Sequence, residues 1–123
     1  MQKLILITGA ISAGLSVAIG AFGAHALKEL LESTQRTDTF NTGVTYQFFH
    51  SLALMITGLL MFKIHHRFLP LAAWSHLAGI VFFSGSLYLL CLTSNTKWGA
   101  VTPIGGLFFI LGWVLLTVAL VRS

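Results

Sequence analysis

The stretch that decides the fold runs from Leu4 to Leu27, LILITGAISAGLSVAIGAFGAHAL, and contains no Asp, Glu, Lys or Arg. At about 1.5 Å per residue, a helix of this length crosses the roughly 30 Å hydrocarbon core of a bilayer with some tilt. Three more apolar stretches follow, at about 44–64, 70–92 and 103–121, and short connections between neighbours favour antiparallel helices. The sequence therefore predicts an all-α membrane protein, one domain over 1–123, with four transmembrane helices in an antiparallel bundle.

The composition excludes most soluble classes of protein. Hydrophobic residues make up 56% of the chain and charged residues 8%, whereas soluble domains carry about 25% charged residues. The net charge is +4, but the cations are scattered at the ends of the apolar stretches, where membrane proteins place interfacial anchors. We therefore expect the lipid bilayer, and no nucleic acid, as a partner. Cys91 is the only cysteine, and the sequence predicts neither a metal site nor a cofactor.

The first span also has features of a signal peptide, because Lys3 precedes the apolar run and Ala24-His25-Ala26 resembles a cleavage site. The apolar region of a signal peptide is usually about 7–15 residues long, and this one is longer. We expect it to stay as a span. Helix two is expected to begin before its apolar stretch, near Asp38.

Four crossings place both termini on one side of the membrane. The Lys and Arg residues favour that side by a small margin, which predicts cytoplasmic termini. The terminal side has Lys3, Lys63, Arg67 and Arg122, and the opposite side has Lys28, Arg36 and Lys97.

Small residues recur at four-residue spacing and predict helix packing, since they let backbones approach closely in lipid. One row on the first helix contains Ser12, Ser16 and Gly20, and an adjacent row contains Ala10, Gly14 and Ala18. The third and fourth helices contribute Gly85, Gly105 and Gly106. Packing within the bundle is one interpretation, and a homo-oligomer contact through one row of the first helix is the other.

A few polar residues interrupt the spans and form the candidate site. Gln47 and His50 share one helical face, and we expect them to point inward and to bond to helix one or three. His25 is predicted to join His50 near one membrane surface, with Ser84, Ser86 and Tyr88 of helix three running toward that surface. Alternatively, Tyr88 is an interfacial residue that points to the headgroups.

His50 and His76 each lie near the start of a span, and these two spans start at opposite membrane surfaces. Helix-rise arithmetic therefore predicts that these two histidines differ in depth by roughly 12 Å, which argues against a haem held between them. That leaves His25 and His50 as the only plausible pair of haem ligands.

No span contains a membrane-buried carboxylate, and no phosphate loop, nucleophile elbow or HExxH motif is present. We therefore predict a non-enzymatic accessory or scaffold subunit that acts alone or in an oligomer, where its partner is a second copy or another membrane protein. Two alternatives stay open. One is a transporter or channel for a small solute or proton that uses the Gln47/His50 stripe, and the other is a redox subunit that binds haem or quinone.

Four short segments occur in a distinctive order: GAFGAHALK at 20–28, YQFFHSLAL at 46–54, FSGSLY at 83–88 and PIGG at 103–106. Together they resemble the bacterial domain-of-unknown-function 423 family, which is related to transmembrane protein 256. The resemblance implies a small four-span protein of the bacterial inner membrane, and it supplies no reaction. It also implies that the matching positions form one site or one packing core. Those positions are His25, Gln47, His50, Ser84, Gly85, Ser86 and Tyr88.

Overall fold

The computed structural model describes all residues from Met1 to Ser123, and it contains six α-helices and no strand. The helices are α1 Gln2–Ala24, α2 Lys28–Ser33, α3 Thr37–Leu60, α4 Phe68–Gly79, α5 Gly85–Thr93 and α6 Thr102–Val121. A π-helical turn, Ile80–Ser84, joins α4 to α5, and a 3-10 turn, Thr96–Ala100, precedes α6. Four helical segments are long and apolar enough to span a membrane, which confirms the predicted fold class. These segments are Gln2–Ala24, Thr37–Leu60, Phe68–Thr93 and Thr96–Val121.

The segment between the first two spans is ordered by side chains that reach α5. The short helix α2 buries Leu31 against Phe40 and Cys91, while its charged residues stay exposed. Arg36 donates a hydrogen bond from its guanidinium to the Leu90 carbonyl at 2.9 Å. The same carbonyl also accepts from the Ser94 backbone N–H at 3.0 Å, so Arg36 is a second donor to the end of α5. The first loop is therefore attached to the end of the third span.

The four spans do not contribute equally to the core. α3 and the third span are more buried than α1 and α6. α1 packs chiefly against α3, and α6 packs chiefly against α4 and the π-helical turn. The central pair of helices therefore carries an outer helix on each side. The main apolar cluster lies where α3, α4 and α6 meet, and includes Leu54, Leu69 and Phe109.

The two small-residue rows of α1 have different environments. Ser12 and Ser16 are buried, and a Cβ on Gly20 would lie 3.1 Å from Val44 on α3. The second row, formed by Ala10, Gly14 and Ala18, is exposed. Nothing lies within 4 Å of the position that a Cβ on Gly14 would occupy. The first row is used for packing inside the chain, and the second row has no partner within it.

The predicted packing glycines of the last two spans also differ from one another. Gly105 lies directly against the backbone of Phe83, so a side chain there would collide with main-chain atoms. The expectation that Gly85 allows a neighbouring helix to approach is wrong, because nothing lies within 4 Å of its Cβ position. Gly106 has only the Phe83 side chain nearby, at 3.9 Å. Both residues are half-exposed, and no helix of this chain packs tightly on the side where their Cβ atoms would lie.

Candidate intramembrane site

The first group of polar side chains joins α1, α3 and α5, and we call its members, Ser12, Gln47, Ser51 and Tyr88, the polar seam. Gln47 donates from Nε2 to the Ser12 carbonyl at 3.0 Å, and its Oε1 accepts from the Tyr88 hydroxyl at 2.6 Å. The hydroxyl oxygens of Ser51 and Ser12 lie 2.7 Å apart. Gln47 is 5% exposed and faces inward as predicted. One amide thus links the helices of three different spans.

Two serines of the third span bond to other spans rather than to the polar seam. Ser84 is 0% exposed and donates to the Gly43 carbonyl of α3 at 2.6 Å. The hydroxyls of Ser86 and Thr102 lie 2.6 Å apart and connect α5 to α6. Ser84 ends the π-helical turn, where an extra residue in the helix changes the direction of the following side chains. These two bonds attach the third span to α3 on one side and to α6 on the other.

The second group lies between α3, α4 and α6, and we call its members, His50, His76, Phe109 and Trp113, the histidine cluster. His50 bonds through Nδ1 to the Tyr46 carbonyl at 2.7 Å, so Nδ1 carries the hydrogen. Its Nε2 then accepts from the indole N–H of Trp113 at 3.0 Å. The ring also stacks on Phe109, with centroids 3.6 Å apart. His50 therefore faces inward, but it bonds to helix four rather than to helix one or three as predicted.

His76 differs from every other buried polar residue of the spans. Its side chain is 0% exposed, and neither ring nitrogen has a hydrogen-bond partner. The ring lies against the backbone of α6, where a Cβ on Gly112 would come within 2.7 Å of it. Trp113 meets it edge-on, with centroids 4.9 Å apart. A buried imidazole without a hydrogen-bond partner in the protein has a free-energy cost, so this residue needs an explanation.

The prediction that His25 shares a cluster with His50 is wrong. His25 is exposed at the end of α1, and its Nδ1 bonds to the Ala21 carbonyl of the same helix at 2.7 Å. The reason is that α1 ends before His25 and the side chain folds back on its own last turn. Tyr88 does reach inward, but its partner is Gln47. The structure thus places the predicted site residues in two groups, with His25 outside both.

The predicted depth difference between His50 and His76 is also wrong, because their ring centroids are only 5.4 Å apart. Both helices meet at one short turn, and His50 lies ten residues before Leu60 while His76 lies eight residues after Phe68. At about 1.5 Å per residue both are then roughly 12–15 Å from that turn. The error came from using the start of the apolar stretch at residue 44 as the membrane surface, although the helix begins at Thr37.

The geometry gives a different argument about haem. An iron bound by both histidines would need space for a porphyrin beside the two rings, but Phe109 stacks on His50 and Trp113 packs edge-on against His76. His50 would also have to release the bond from Trp113. The two side chains therefore do not fit a haem in this packing.

Three residues of these groups were missed at the level of sequence. Ser51, Phe109 and Trp113 were not singled out, although Ser51 is 0% exposed and bonds within the polar seam. A signal existed for Trp113, because an indole N–H near the middle of an apolar span needs an acceptor. Phe109 carries no such signal, since one phenylalanine among ten in an apolar chain looks like any other.

Chemically, both groups offer neutral donors and acceptors. The only acid in the helices of the four spans is Asp38, in the first turn of α3, away from both groups. The polar groups of the seam bond to one another, and the Gln47 amide has a partner for both its nitrogen and its oxygen. In the histidine cluster, the lone pair on His50 Nε2 accepts the Trp113 indole N–H, and the N–H of His76 has no acceptor.

These features define the class: a small integral membrane protein of four helical spans, with polar side chains that link the helices. More narrowly, the chain belongs to the family described as Protein of unknown function (DUF423), whose model matches residues 19–106. A UPF0382 membrane protein of Staphylococcus aureus is 44% identical over 118 residues, 96% of this chain and 95% of the relative. The UPF0382 membrane protein YwdK of Bacillus subtilis is 41% identical, with 98% of each chain covered.

The UPF0382 inner membrane protein YgdD of Escherichia coli is 39% identical over 124 residues, 98% of this chain and 92% of the relative. These names place the relatives in the membrane, and none of them states an activity. No solved structure matches this chain.

Proposed function

We propose that the chain is a small accessory or scaffold subunit of the bacterial inner membrane, with no catalytic activity of its own. The observation that carries this proposal is the use of the polar side chains. Gln47, Ser84 and Ser86 each bond to another helix of the same chain. Groups that hold helices together in this way are not free to bind a substrate or to relay a solute.

The surface proposed for assembly is the exposed row of α1, Ala10, Gly14 and Ala18. α1 is an outer helix that packs chiefly on α3, and this row faces away from it. A flat row of small residues lets a second helix approach closely in lipid, where van der Waals contact is a main source of helix association. A second copy of this chain is the occupant that we propose.

The test is the oligomeric state of the purified protein in mild detergent, measured by light scattering. We expect the wild type to be a dimer or larger and Gly14→Leu to shift it toward the monomer. Gly85→Leu is the matched control, because that glycine also has nothing within 4 Å of its Cβ position but lies on another helix. A monomeric wild type, or equal effects of both substitutions, would contradict assembly through this row.

A transporter or channel for a proton or small solute is the second candidate function. One observation favours it: His76 has two unpartnered nitrogens beside His50 in the interior of the spans. Proton flux into proteoliposomes, followed with an internal pH dye, distinguishes the candidates. A scaffold gives the rate of protein-free vesicles. A flux that His76→Met abolishes would favour the transporter.

We also propose that both termini lie in the cytoplasm, because the terminal side carries more Lys and Arg. Reporter fusions after Ser123 and within the turn at Asn95 test this orientation. We expect the fusion after Ser123 to report the cytoplasm and the fusion at Asn95 to report the periplasm or exterior. The reverse pattern would overturn the orientation and leave the four-span fold intact.

A further inference from the structure

The two membrane surfaces of this protein carry very different charge. We call the surface where α1 begins, α3 ends, α4 begins and α6 ends the terminal face, and the opposite one the loop face. Gln2 donates from its amide to the Met61 carbonyl at 3.2 Å, so the start of α1 and the end of α3 do meet at the terminal face. All three acidic side chains of the chain lie on the loop face, and they are Glu29, Glu32 and Asp38.

The terminal face carries four cationic side chains and no acidic one. Its cations are Lys3, Lys63, Arg67 and Arg122, and all four are exposed. With no carboxylate side chain on this face, they have no side-chain partner of opposite charge within the protein. The loop face has three cations against three acids, so the net side-chain charge of +4 lies on the terminal face.

The turn between α3 and α4 presents two of these cations in an ordered segment. His66 accepts a hydrogen bond at Nδ1 from the Phe68 backbone N–H at 3.1 Å, which fixes the start of α4. The guanidinium carbon of Arg67 lies 5.3 Å from the centroid of the Phe68 ring. Lys63 lies just after the end of α3 in the same turn. Both cations lie in a turn that is already ordered, so binding a ligand there does not carry the entropic cost of ordering a loop.

On the loop face the cations are used differently. Arg36 donates to the Leu90 carbonyl within the protein. Lys28 lies beside Glu29 and one helical turn from Glu32 in α2. This face therefore offers an internal comparison, with a similar number of cations but no net charge.

We propose that the terminal face is a binding surface for anionic phospholipid headgroups, such as those of phosphatidylglycerol or cardiolipin. The cations lie at the helix ends, at the level where headgroups surround a spanning protein. A zwitterionic headgroup cancels its own phosphate charge, whereas an anionic headgroup supplies the net negative charge that this face lacks. Each Lys or Arg near such a surface contributes up to about fivefold in affinity at low ionic strength.

The test uses the full chain reconstituted in vesicles of phosphatidylcholine with a small amount of spin-labelled phosphatidylglycerol or phosphatidylcholine. The fraction of motionally restricted label gives the association constant of each lipid relative to the other. We expect the wild type to prefer phosphatidylglycerol several-fold. The double substitution Lys63→Gln and Arg67→Gln should remove most of that preference. Added salt should lower the preference in the wild type, because exposed charges are screened within about 10 Å at 0.1 M salt.

Lys28→Gln with Lys97→Gln is the matched control, since it removes two cations from the loop face and leaves the terminal face unchanged. We expect the lipid preference to persist in this variant. Equal preference for both lipids in the wild type would overturn the proposal. So would a preference that the loop-face pair removes and the terminal-face pair does not, or one that salt leaves unchanged.

Discussion

The polar seam and the histidine cluster both bury polar side chains between the helices, but they do so in different ways. In the seam, Gln47 finds an acceptor on α1 and a donor on α5, so polar groups in lipid are satisfied by one another. In the cluster, rings stack and α6 approaches closely at Gly105 and Gly112, while His76 keeps two unpartnered nitrogens. Both sides nevertheless combine hydrogen bonds with close packing, since a Cβ on Gly9 of α1 would lie 2.9 Å from the Ser51 carbonyl oxygen and Ser86 bonds to Thr102 of α6. The two groups differ in that the seam leaves no buried polar side chain without a partner, whereas the cluster leaves His76 without one.

The largest expected effect comes from breaking the glycine contact on the α6 side. Gly105→Leu places a side chain against the backbone of Phe83, which cannot rotate away as a side chain could. We expect the helices to separate and the free energy of unfolding to fall by about 3 kcal/mol, at the high end for overpacking. Thermal unfolding in mild detergent measures this loss.

Gly106→Leu is the matched control for that substitution. The adjacent glycine has only the Phe83 side chain near its Cβ position, at 3.9 Å, so a leucine there meets lipid. Its stability should stay close to that of the wild type. Equal losses at both positions would mean that helix conformation, and not the close contact of α6 with the third span, determines the effect.

A smaller effect is expected from removing the amide at the centre of the polar seam. Gln47→Leu leaves the Tyr88 hydroxyl and the Ser12 carbonyl without their partner. Interhelical bonds in membranes average about 0.6 kcal/mol, and two bonds are lost here, so we expect a loss of about 1–2 kcal/mol. This is less than for Gly105→Leu, because leucine still fills the space.

A double-mutant cycle with Tyr88→Phe isolates the bond between the two side chains. We expect Gln47→Leu to cost less in the Tyr88→Phe background than in the wild type, because the hydroxyl can no longer be left unpaired. Additive losses would show that the 2.6 Å contact between Tyr88 and Gln47 contributes nothing to stability.

The sequence predicted four spanning helices because apolar length alone indicates their number. It also predicted that Gln47 points inward, since a buried amide among apolar residues has no other favourable place. It failed for His25 and for the pairing of His50 with His76, because both depend on how the helix ends align across the membrane. The apolar stretch begins at 44 and the helix at Thr37, and that offset moved His50 toward the wrong surface.

The exposed and buried rows of α1 show a further limit. Four-residue spacing selects both rows equally, and only the position of α3 decides that Ser12 and Ser16 are covered and that Gly14 is not. Likewise, no local signal predicts the π-helical turn at Ile80–Ser84, which lies where the third span bonds to α3 through Ser84 and, just beyond the turn, to α6 through Ser86. In both places, tertiary packing determines the outcome, and the periodicity of the sequence does not predict it.

The smallest expected effect tests the unpartnered imidazole directly. His76→Met replaces a ring without hydrogen bonds by a flexible apolar chain of similar size that can adapt to the backbone of Gly112. Removing an unsatisfied polar group should raise the free energy of unfolding by about 1 kcal/mol. His50→Met should lower it by a similar amount, because His50 accepts from Trp113. If both variants lose stability equally, His76 has a bonding partner and the two groups do not differ as described. If His76→Met is more stable, the native histidine is kept at a cost in stability, and its role must be sought in what the cluster binds or transfers.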